Sequence, residues 1–514
     1  MEPGGGALIR APRVVVALAL ATAACGSPSG IALSPSWSAA GVAVGRDHFG
    51  HNTVWARHGL GLWDPAGGRA DAAALAEVTE LQPGLLRFPG GTRAMRYRFD
   101  QAIGPTRSPQ CDPFRGVLDD TPYGPEEFFS VAAAIGADVT WVAPWVDGSP
   151  QHTAALATYL RDRAAVKFLE IGNEPYLGLP AGPVAGSCGR PSQFVQDERW
   201  DGTTRIPTTA ADYAAELAAT AALVRPIAPS LRIGAAATSQ YDGVSDAMTA
   251  VGDVDAVGAK DAWNARLVAA APDAFDFFIL HPYDFTVDDD ARIRLAERAR
   301  KTVHDLRAAA PDKGVAITEY GFLFGGGTLL NAIVSADMTR MSIEEQLVMT
   351  ARHILIETDA SGPFADAAAI GPALAKKPGF EAARLVRALA PVAVPLAGAG
   401  GGNRSSGSLG SDGSLVADGS LVADGTLVAL ATRDDATRHL AVLVIDRRID
   451  DGPTRTVRLA LPTGGWRAVA RVLTADTLAA TAVTVTERDL GHTSGTLAVE
   501  VAPHSVVILA ADAE

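Results

Sequence analysis

The chain has 514 residues, of which 48% are hydrophobic and 20% charged, and this balance excludes wholesale disorder. Its length indicates two domains with enough buried surface for a large core. The formal net charge of −14, without a basic block, argues against nucleic acid or anionic lipid as the main partner. Three cysteines without a C-x-x-C pair argue against a disulfide scaffold and against structural zinc.

The first 25 residues have the pattern of a lipoprotein-type signal peptide. Arg10 and Arg13 precede an apolar stretch over 14–24 that is too short to span a bilayer. Small residues then lead to Cys25, which is the expected site of lipidation, and residues 26–40 would form a tether. Ordinary cleavage after a short Ala-x-Ala sequence is the alternative, and it would give a secreted protein without a lipid.

An export signal predicts where the protein is located and an oxidising environment for the remaining cysteines. We expect a membrane-anchored lipoprotein on the cell surface or in the periplasm, or otherwise a secreted protein, with the lipid as its one contact with the membrane. In that setting Cys111 and Cys188 either form a disulfide or stay as free thiols.

Residues 41–390 alternate short apolar runs with Ala/Leu-rich amphipathic segments. Apolar strands joined by helices indicate parallel strands that are buried on both faces. Eight such repeats favour an α/β fold of the (β/α)8 TIM-barrel type over an open sheet. The predicted strands are 41–45, 84–88, 138–144, 166–172, 231–237, 275–281, 315–319 and 363–370, and the predicted helices include 70–81, 210–227, 291–309, 343–358 and 379–389.

The pattern changes beyond residue 390. Residues 391–425 contain a Gly-rich linker and a hexapeptide repeat, SLVADG, which fits a tandem duplication in a surface loop or hairpin. Residues 426–514 contain seven short β-rich runs separated by turn residues. This region is predicted to form a C-terminal antiparallel β-sandwich.

The polar residues that could carry chemistry lie where the predicted barrel strands end, which is where this architecture places its active sites. Glu174 follows the fourth strand and Glu319 ends the seventh, so the two carboxyl groups should face each other across the barrel mouth. Glycoside hydrolysis needs two such groups, one protonated and one ionised. Arg87, at the end of the second strand, could keep one of them charged.

Other residues near these strand ends allow a structural interpretation as well as a functional one. Glu170 shares a strand face with Glu174 and is interpreted as structural, paired with Lys or Arg inside the barrel. His281 either lines the site or caps a loop. Trp145 either lines the pocket or belongs to the core.

Five local strings resemble glycoside hydrolases of clan A, and most closely the family 51 α-L-arabinofuranosidases, with similarity to families 39 and 79. The strings are LLRFPGG (85–91), AIGP (102–105), EIGNEP (170–175), LHPYD (280–284) and ITEYG (317–321). The resemblance covers most of 41–390, and the trailing β-rich region resembles the sandwich that accompanies those barrels.

The resemblance implies a role for each site residue. Glu174 would be the general acid/base and Glu319 the nucleophile of a retaining, two-glutamate double displacement. Asn173 would contact the sugar hydroxyl beside the anomeric carbon. Arg87 and Tyr283 would support the nucleophile.

His281 and Trp145 would complete the substrate-binding side chains. A carbohydrate is the implied partner, and neither a cofactor nor a metal is implied.

Two departures from family 51 leave the sugar open. The family usually has Asp-Glu-Trp around its nucleophile, whereas this chain has Thr318-Glu319-Tyr320. The family also carries a sugar-binding Glu just after the first strand, and no Glu occurs between Arg46 and Gly61. A uronide, a xyloside or another furanoside therefore remains open beside an arabinofuranoside.

Three alternatives belong to other classes. The chain could be a catalytically inactive, carbohydrate-binding surface lipoprotein, although both carboxylates are present. It could be an adhesion lipoprotein that uses the sandwich and its repeat as a contact surface. A metal-dependent hydrolase barrel would need His/Asp clusters at strand ends, and the sequence has neither an H-x-H nor an H-E-x-x-H string.

Overall fold

A computed structural model gives the fold of most of the chain. The described residues are 31–113, 115–163, 165–176, 188, 198–200, 205–207, 209–238, 263–284, 288–322, 325–362, 364–399, 421–422 and 425–514. The predicted signal peptide with Cys25 and nearly all of the hexapeptide repeat lie outside them. Within these ranges no helix combines the length and the apolar composition needed to cross a bilayer.

Eight parallel strands form a closed barrel. Each strand pairs with the next, and a parallel bridge between Ile317 and Thr350 joins the seventh strand to the start of the eighth. The (β/α)8 prediction is therefore confirmed. The barrel strands are β1 (Gly50–Asn52), β2 (Leu85–Phe88), β3 (Asp138–Ala143), β4 (Val166–Ile171), β5 (Arg232–Ala236), β6 (Phe277–Leu280), β7 (Gly314–Ile317) and β8 (Ala351–Arg352).

One long helix follows each barrel strand and covers its outer face. Several begin at residues that satisfy the free N–H groups of a first turn: Asp71 accepts from Ala74 N, and Thr209 and Asp212 form a capping box. The helices are α1 (Ala72–Leu81), α2 (Pro125–Ile135), α3 (Pro150–Leu160), α4 (Ala210–Ile227), α5 (263–270), α6 (Leu295–Ala309), α7 (Leu329–Glu344) and α8 (Pro378–Val386).

The predicted first and eighth strands are wrong, as is the predicted helix 343–358. Val42–Ala43 pairs with Val392–Val394 in the second domain, and the barrel begins with the short polar strand β1. The eighth strand is the two-residue Ala351–Arg352 and lies inside the segment predicted as a helix. The prediction missed the first and the eighth barrel strand because both are too short and contain too many polar residues to give an apolar run in the sequence.

The second domain is a β-sandwich, as predicted, and its strands pair antiparallel except that Ile31–Pro35 runs parallel to Arg455–Ala460. One sheet has the order Leu396–Ala399, Ile31–Pro35, Arg455–Ala460, Thr496–Val501. The other runs Val42–Ala43, Val392–Val394, Leu427–Asp434, His439–Asp446, Ser505–Ala513, Trp466–Thr474, Thr484–Thr493, with Leu421–Val422 beside the third of these strands.

Segments from both ends of the barrel region contribute to this sandwich. Ile31–Pro35, within the predicted tether, pairs with Arg455–Ala460, and Val392–Val394 and Leu396–Ala399 lie within the predicted linker. The tether assigned to 26–40 is thus partly a strand of the folded domain. The sandwich therefore depends on chain that precedes the barrel as well as chain that follows it.

Alternating side chains of the larger sandwich sheet pack into two different hydrophobic cores, one within the sandwich and one shared with the barrel. Leu427, Ala429 and Ala431 pack toward the smaller sheet, whereas Val428 and Leu430 join the core of the barrel domain. Helix α7 lies at this junction with every one of its residues buried. The two domains are consequently packed together through a continuous apolar layer.

Candidate active site

A fully buried arginine organises the mouth of the barrel. Arg87, on β2, donates from Nε to both oxygens of Glu170, at 3.1 and 2.9 Å. Its Nη1 donates to Asn52 Oδ1 at 2.7 Å and to Glu319 Oε1 at 2.5 Å. Its Nη2 donates to Asn173 Oδ1 at 2.9 Å. One guanidinium thus holds residues from β1, β4, the end of β7 and the loop after β4 in a fixed arrangement.

Glu170 is the structural counter-charge of this arginine, as the sequence suggested. Besides the Arg87 contacts, its carboxylate accepts hydrogen bonds from the hydroxyls of Thr140 and Thr318 at 3.0 and 3.1 Å. Both oxygens are occupied by neighbours and the side chain is fully buried. Glu170 therefore balances the charge of Arg87 inside the barrel.

The Glu319 carboxylate is held in its ionised form. It accepts a hydrogen bond from Arg87, and its Oε2 accepts one from the Tyr283 hydroxyl at 2.8 Å. Burial opposes ionisation, but the charges of His281, His353 and Arg87 and the Tyr283 hydrogen bond outweigh it and lower the pKa of Glu319 to about 2. This side chain is an anion at any pH at which the protein would work.

Tyr283 remains a hydrogen-bond donor. Burial and the negative charges of Glu319 and Glu174 raise the pKa of its hydroxyl well above the usual value. The tyrosine therefore keeps its proton and stabilises the Glu319 anion.

Glu174 faces Glu319 with His281 between them. One side-chain ligand atom from each of the three residues lies within 4.8 Å of the other two. The Nδ1 atom of His281 lies 3.0 Å from Glu174 Oε1, and its Nε2 lies 2.9 Å from the Thr318 hydroxyl. The two carboxyl groups that the sequence placed on opposite strand ends are thus brought together.

The hydrogen-bond network around His281 places a proton between it and Glu174. The Thr318 hydroxyl donates to Glu170, so it accepts from His281, and Nε2 must carry hydrogen. If the imidazole is neutral, Nδ1 has only a lone pair and Glu174 must donate to it. If the imidazole is charged, its Nδ1–H donates to Glu174. In either state the Glu174–His281 pair holds one transferable proton.

Backbone geometry aims the loop that carries Asn173 and Glu174. Gly172 has φ 75° and Glu174 has φ 49°, a left-handed conformation that non-glycine residues adopt rarely. The side-chain amide of Asn173 contacts Arg87 through its oxygen and donates to Glu174 Oε2 at 3.3 Å. Such local strain is concentrated at functional sites in proteins.

Trp145 supports this loop from behind. The residue is 1% exposed, and its ring centroid lies 5.0 Å from that of Tyr213. The Tyr213 hydroxyl in turn donates to the carbonyl of Ile171, the last residue of β4. Trp145 thus packs against the residue that holds the end of β4.

The two glycines after β2 allow close packing beside the nucleophile candidate. A Cβ on Gly90 would lie 2.1 Å from the carbonyl oxygen of Thr53, so no larger residue fits. A Cβ on Gly91 would lie 3.5 Å from Glu319 Oε1. The PGG string thus leaves open space directly beside the Glu319 carboxylate.

His353 belongs to the site and was missed by the sequence analysis. Its Nδ1 lies 3.7 Å from Glu319 Oε2, and its ring packs edge-on against Phe364 with centroids 4.7 Å apart. Burial lowers the pKa of His353 to about 4, although the charge of Glu319 acts in the opposite direction. The imidazole is therefore neutral at pH 7. Its position directly after β8 could have identified it, but the sequence analysis placed this segment in a helix and put the eighth strand at 363–370.

The loops on the same face are linked covalently. Cys111 and Cys188 form a disulfide with Cα atoms 6.0 Å apart. Cys111 lies in a hairpin formed by Gln110–Asp112 and Val117–Asp119, within the chain between β2 and α2. The bond therefore ties this hairpin to the segment that follows β4 and Glu174.

Glu174, His281 and Glu319 could also offer three ligand atoms to a metal ion. The same Glu319 carboxylate is already paired with the Arg87 guanidinium at 2.5 Å. A divalent cation would be repelled by that fixed charge. The electrostatics of the site thus favour an acid/base pair over a metal centre.

The whole chain resembles solved glycoside hydrolase structures. It matches the α-L-arabinofuranosidase of Thermotoga maritima with a TM-score of 0.69 and 16% identity, over 94% of this chain and 99% of that one. The GH51 arabinofuranosidase of Xanthomonas axonopodis pv. citri gives 0.67 and 15%, over 94% and 100%. A GH family 44 xyloglucanase of Paenibacillus polymyxa gives 0.59 and 10%, over 94% and 100%.

These likenesses concern the fold. No protein-family profile and no curated protein matches the sequence. The barrel and the sandwich are thus shared with glycoside hydrolases at identities of 10–16%. An activity can therefore be inferred only from the residues of the site.

Proposed function

We propose that the protein is a retaining glycoside hydrolase. The observation that carries the proposal is the pairing of an ionised Glu319 with a proton-bearing Glu174–His281 pair, with carboxylate oxygens of the two glutamates within 4.8 Å. Retaining enzymes place these groups about 5–5.5 Å apart, whereas inverting enzymes need roughly 6.5–9.5 Å to admit a water. The spacing supports direct attack by the carboxylate.

The reaction follows from the positions of these groups. Glu319 attacks the anomeric carbon, forming a carbon–oxygen bond, while the glycosidic bond breaks and the leaving oxygen takes the proton from Glu174. Glu174 then removes a proton from water, and the resulting hydroxide displaces Glu319. The sugar is released with its original configuration and Glu174 regains its proton.

Arg87 and Tyr283 serve the first step by holding one Glu319 oxygen each. The Asn173 amide group lies between Arg87 and Glu174, where it can bind a hydroxyl next to the anomeric carbon. His281 Nδ1 lies 3.0 Å from the Glu174 carboxyl and holds this acid/base group in place for both proton transfers.

The sugar is proposed by class. The arabinofuranosidase fold and the five local strings support an α-L-arabinofuranoside as the first candidate. The missing Glu after β1 is the reason to include uronides, xylosides and other furanosides.

The test is a panel of nitrophenyl glycosides, with the anomer of the first product followed by NMR. We expect hydrolysis of one glycoside with retention, and no hydrolysis by Glu319→Gln. An inverted product would contradict the mechanism. Binding of oligosaccharides without hydrolysis would identify the inactive carbohydrate-binding lipoprotein instead.

We also propose that the protein is exported and lipidated at Cys25. The support is the apolar stretch over 14–24 before small residues and a cysteine, together with a disulfide, which persists in oxidising compartments. Mass spectrometry of the mature N-terminus should find a diacylglyceryl group on Cys25. A mature N-terminus at another residue would overturn the proposal.

A further inference from the structure

A small cavity lies between the barrel wall and its helices, away from the mouth. It is bordered by β1, the C-terminal end of α1, α7 and α8, and has room for a particle about the size of a water molecule. Its polar lining includes His51, Arg352, Arg387, Ser335, Thr339 and Tyr320. The lining contains two arginines and no carboxylate.

Arg352 is a buried cation without a matching anion. It is 1% exposed, and it donates from Nε to Ser335 Oγ at 3.2 Å and from Nη2 to the carbonyl of Ala367 at 2.8 Å. Among the described residues its Nη1 has no hydrogen-bond partner, and the titratable groups that act on its charge are Tyr320 and Tyr283, neither of them a carboxylate. A buried charge that is left unpaired is strongly unfavourable.

His51 and Arg387 bring further nitrogen atoms to the cavity. His51 is fully enclosed, and both of its ring nitrogens lack a hydrogen-bond partner among the residues that the structure describes. Arg387 sits at the rim with its guanidinium 4.5 Å from the centre of the Phe49 ring, and its Nε is likewise unpaired there. Burial, together with the charge of Arg352, lowers the pKa of His51 to about 3, so the imidazole is neutral and can donate one N–H.

We propose that this cavity binds a monatomic halide anion, with chloride as the physiological ligand. The cavity supplies an unbalanced guanidinium and free N–H donors, which are groups that bind an anion. Its size excludes phosphate, sulfate and carboxylates. The surroundings are positive although the chain as a whole carries a net charge of −14.

The anion would also stabilise the strand that leads into the active site. Arg352 directly precedes His353, and its carbonyl oxygen lies 3.5 Å from the Asn52 side-chain amide, which contacts Arg87. Tyr320, on the cavity wall, directly follows Glu319. The ion would therefore lie behind the residues that position the nucleophile candidate.

The test uses the full chain at constant ionic strength, with sodium chloride exchanged for sodium methanesulfonate, whose anion is too large for the cavity. We expect the Tm to rise by a few degrees with chloride and to saturate, because a ligand that binds only the folded state stabilises it. Crystals soaked in bromide should show an anomalous peak beside Arg352.

Two variants and one control complete the experiment. Arg352→Gln should lose the chloride-dependent Tm rise, and Arg387→Gln, at the rim, carries the test if Arg352→Gln does not fold. Arg471→Gln, whose wild-type charge is paired with Glu487 on the sandwich surface, should keep the full rise. Equal Tm values of the wild type in the two salts, or a cavity that holds water without bromide, would overturn the proposal.

Discussion

The Nδ1 atom of His281 lies 3.0 Å from the carboxyl of Glu174, and the rest of the network fixes a proton at this contact. Because Thr318 receives the Nε2–H of the same ring, the imidazole cannot turn its other nitrogen toward Glu174 without breaking that bond. Glu174 and His281 therefore act as one acid group, while Glu319 is held as the anion.

Substitution of His281 should weaken proton transfer more than nucleophilic attack. For His281→Phe we expect kcat/KM to fall at least about tenfold more with an alkyl glycoside than with a nitrophenyl glycoside, because only the alkyl leaving group needs the proton. His304→Gln, which changes a half-exposed histidine on α6, is the matched control and should keep both rates. Equal losses on both substrates would show that His281 does not serve Glu174.

The two glutamates should respond differently to removal. Glu319→Ala should abolish turnover of every substrate, and added azide should give the inverted glycosyl azide because it takes the place of the nucleophile. Glu174→Ala should lose about 10²–10⁴-fold on natural substrates and retain its first step with a nitrophenol leaving group. There azide should give the retained glycosyl azide. Product configurations from NMR check both, and rescue of neither variant would contradict the assignment of roles.

Most of this site could be predicted because four strands end in recognisable strings. β2, β4, β6 and β7 are apolar runs, so position at a strand end identified the site residues. Arg87 lies in β2, His281 directly follows β6, and Glu174 and Glu319 lie in the loops just after β4 and β7. β1 and β8 have no such run, since the inward position of β1 holds Asn52 for Arg87 and β8 is two residues long.

The failure to predict β1 and β8 had two consequences. His353, which follows β8, was not recognised as a site residue. The cavity beside Arg352 was not foreseen either, because a lone arginine in a predicted helix gives no sign of lacking a counter-charge. Long-range pairing, such as that of Ile31–Pro35 with Arg455–Ala460, is equally invisible in local sequence.

Stability should fall as the pH is lowered from about 7 to 4. Burial is the main cause of three lowered pKa values, which are about 4 for His48, about 3 for His51 and about 4 for His353. Each histidine titrates near 6.5 when unfolded, so between these values the unfolded chain binds more protons and acid favours unfolding.

These three histidines should together contribute close to three protons to the slope, or about 4 kcal/mol per pH unit near pH 5. Urea unfolding between pH 7 and 4.5 measures it, and His51→Phe should remove about one proton from the slope. Leu118→Ala, at a largely exposed position, should leave the slope unchanged. An unchanged slope in His51→Phe would show that this ring does not contribute.

The Cys111–Cys188 bond should be present in protein purified without reductant and should stabilise it. The cysteines are 77 residues apart, and closing a loop of that length stabilises the folded state by about 4 kcal/mol in the chain-entropy description. Peptide mapping with and without reductant should find the linked peptides. The double Ser variant should have a lower Tm than the oxidised protein and match the reduced one. Two free thiols in the protein purified without reductant would contradict the bond.

The buried ion network at the junction of the two domains should be sensitive to loss of its central acid. Asp337, on α7, accepts from Arg340 Nε at 2.7 Å and from Arg447 Nη1 of the sandwich at 3.0 Å. Burial disfavours its charge, but the two arginines prevail and lower its pKa. Asp337→Ala removes one partner from each cation, and Arg340 keeps Glu344 while Arg447 keeps Glu297. We therefore expect about 1.5–3 kcal/mol of destabilisation in urea unfolding, the usual cost of losing hydrogen bonds to a buried charged group. Asp489→Ala, which breaks the exposed pair with Arg467, should cost less than about 1 kcal/mol. Similar losses in the two variants would mean that the junction is held by its apolar layer alone.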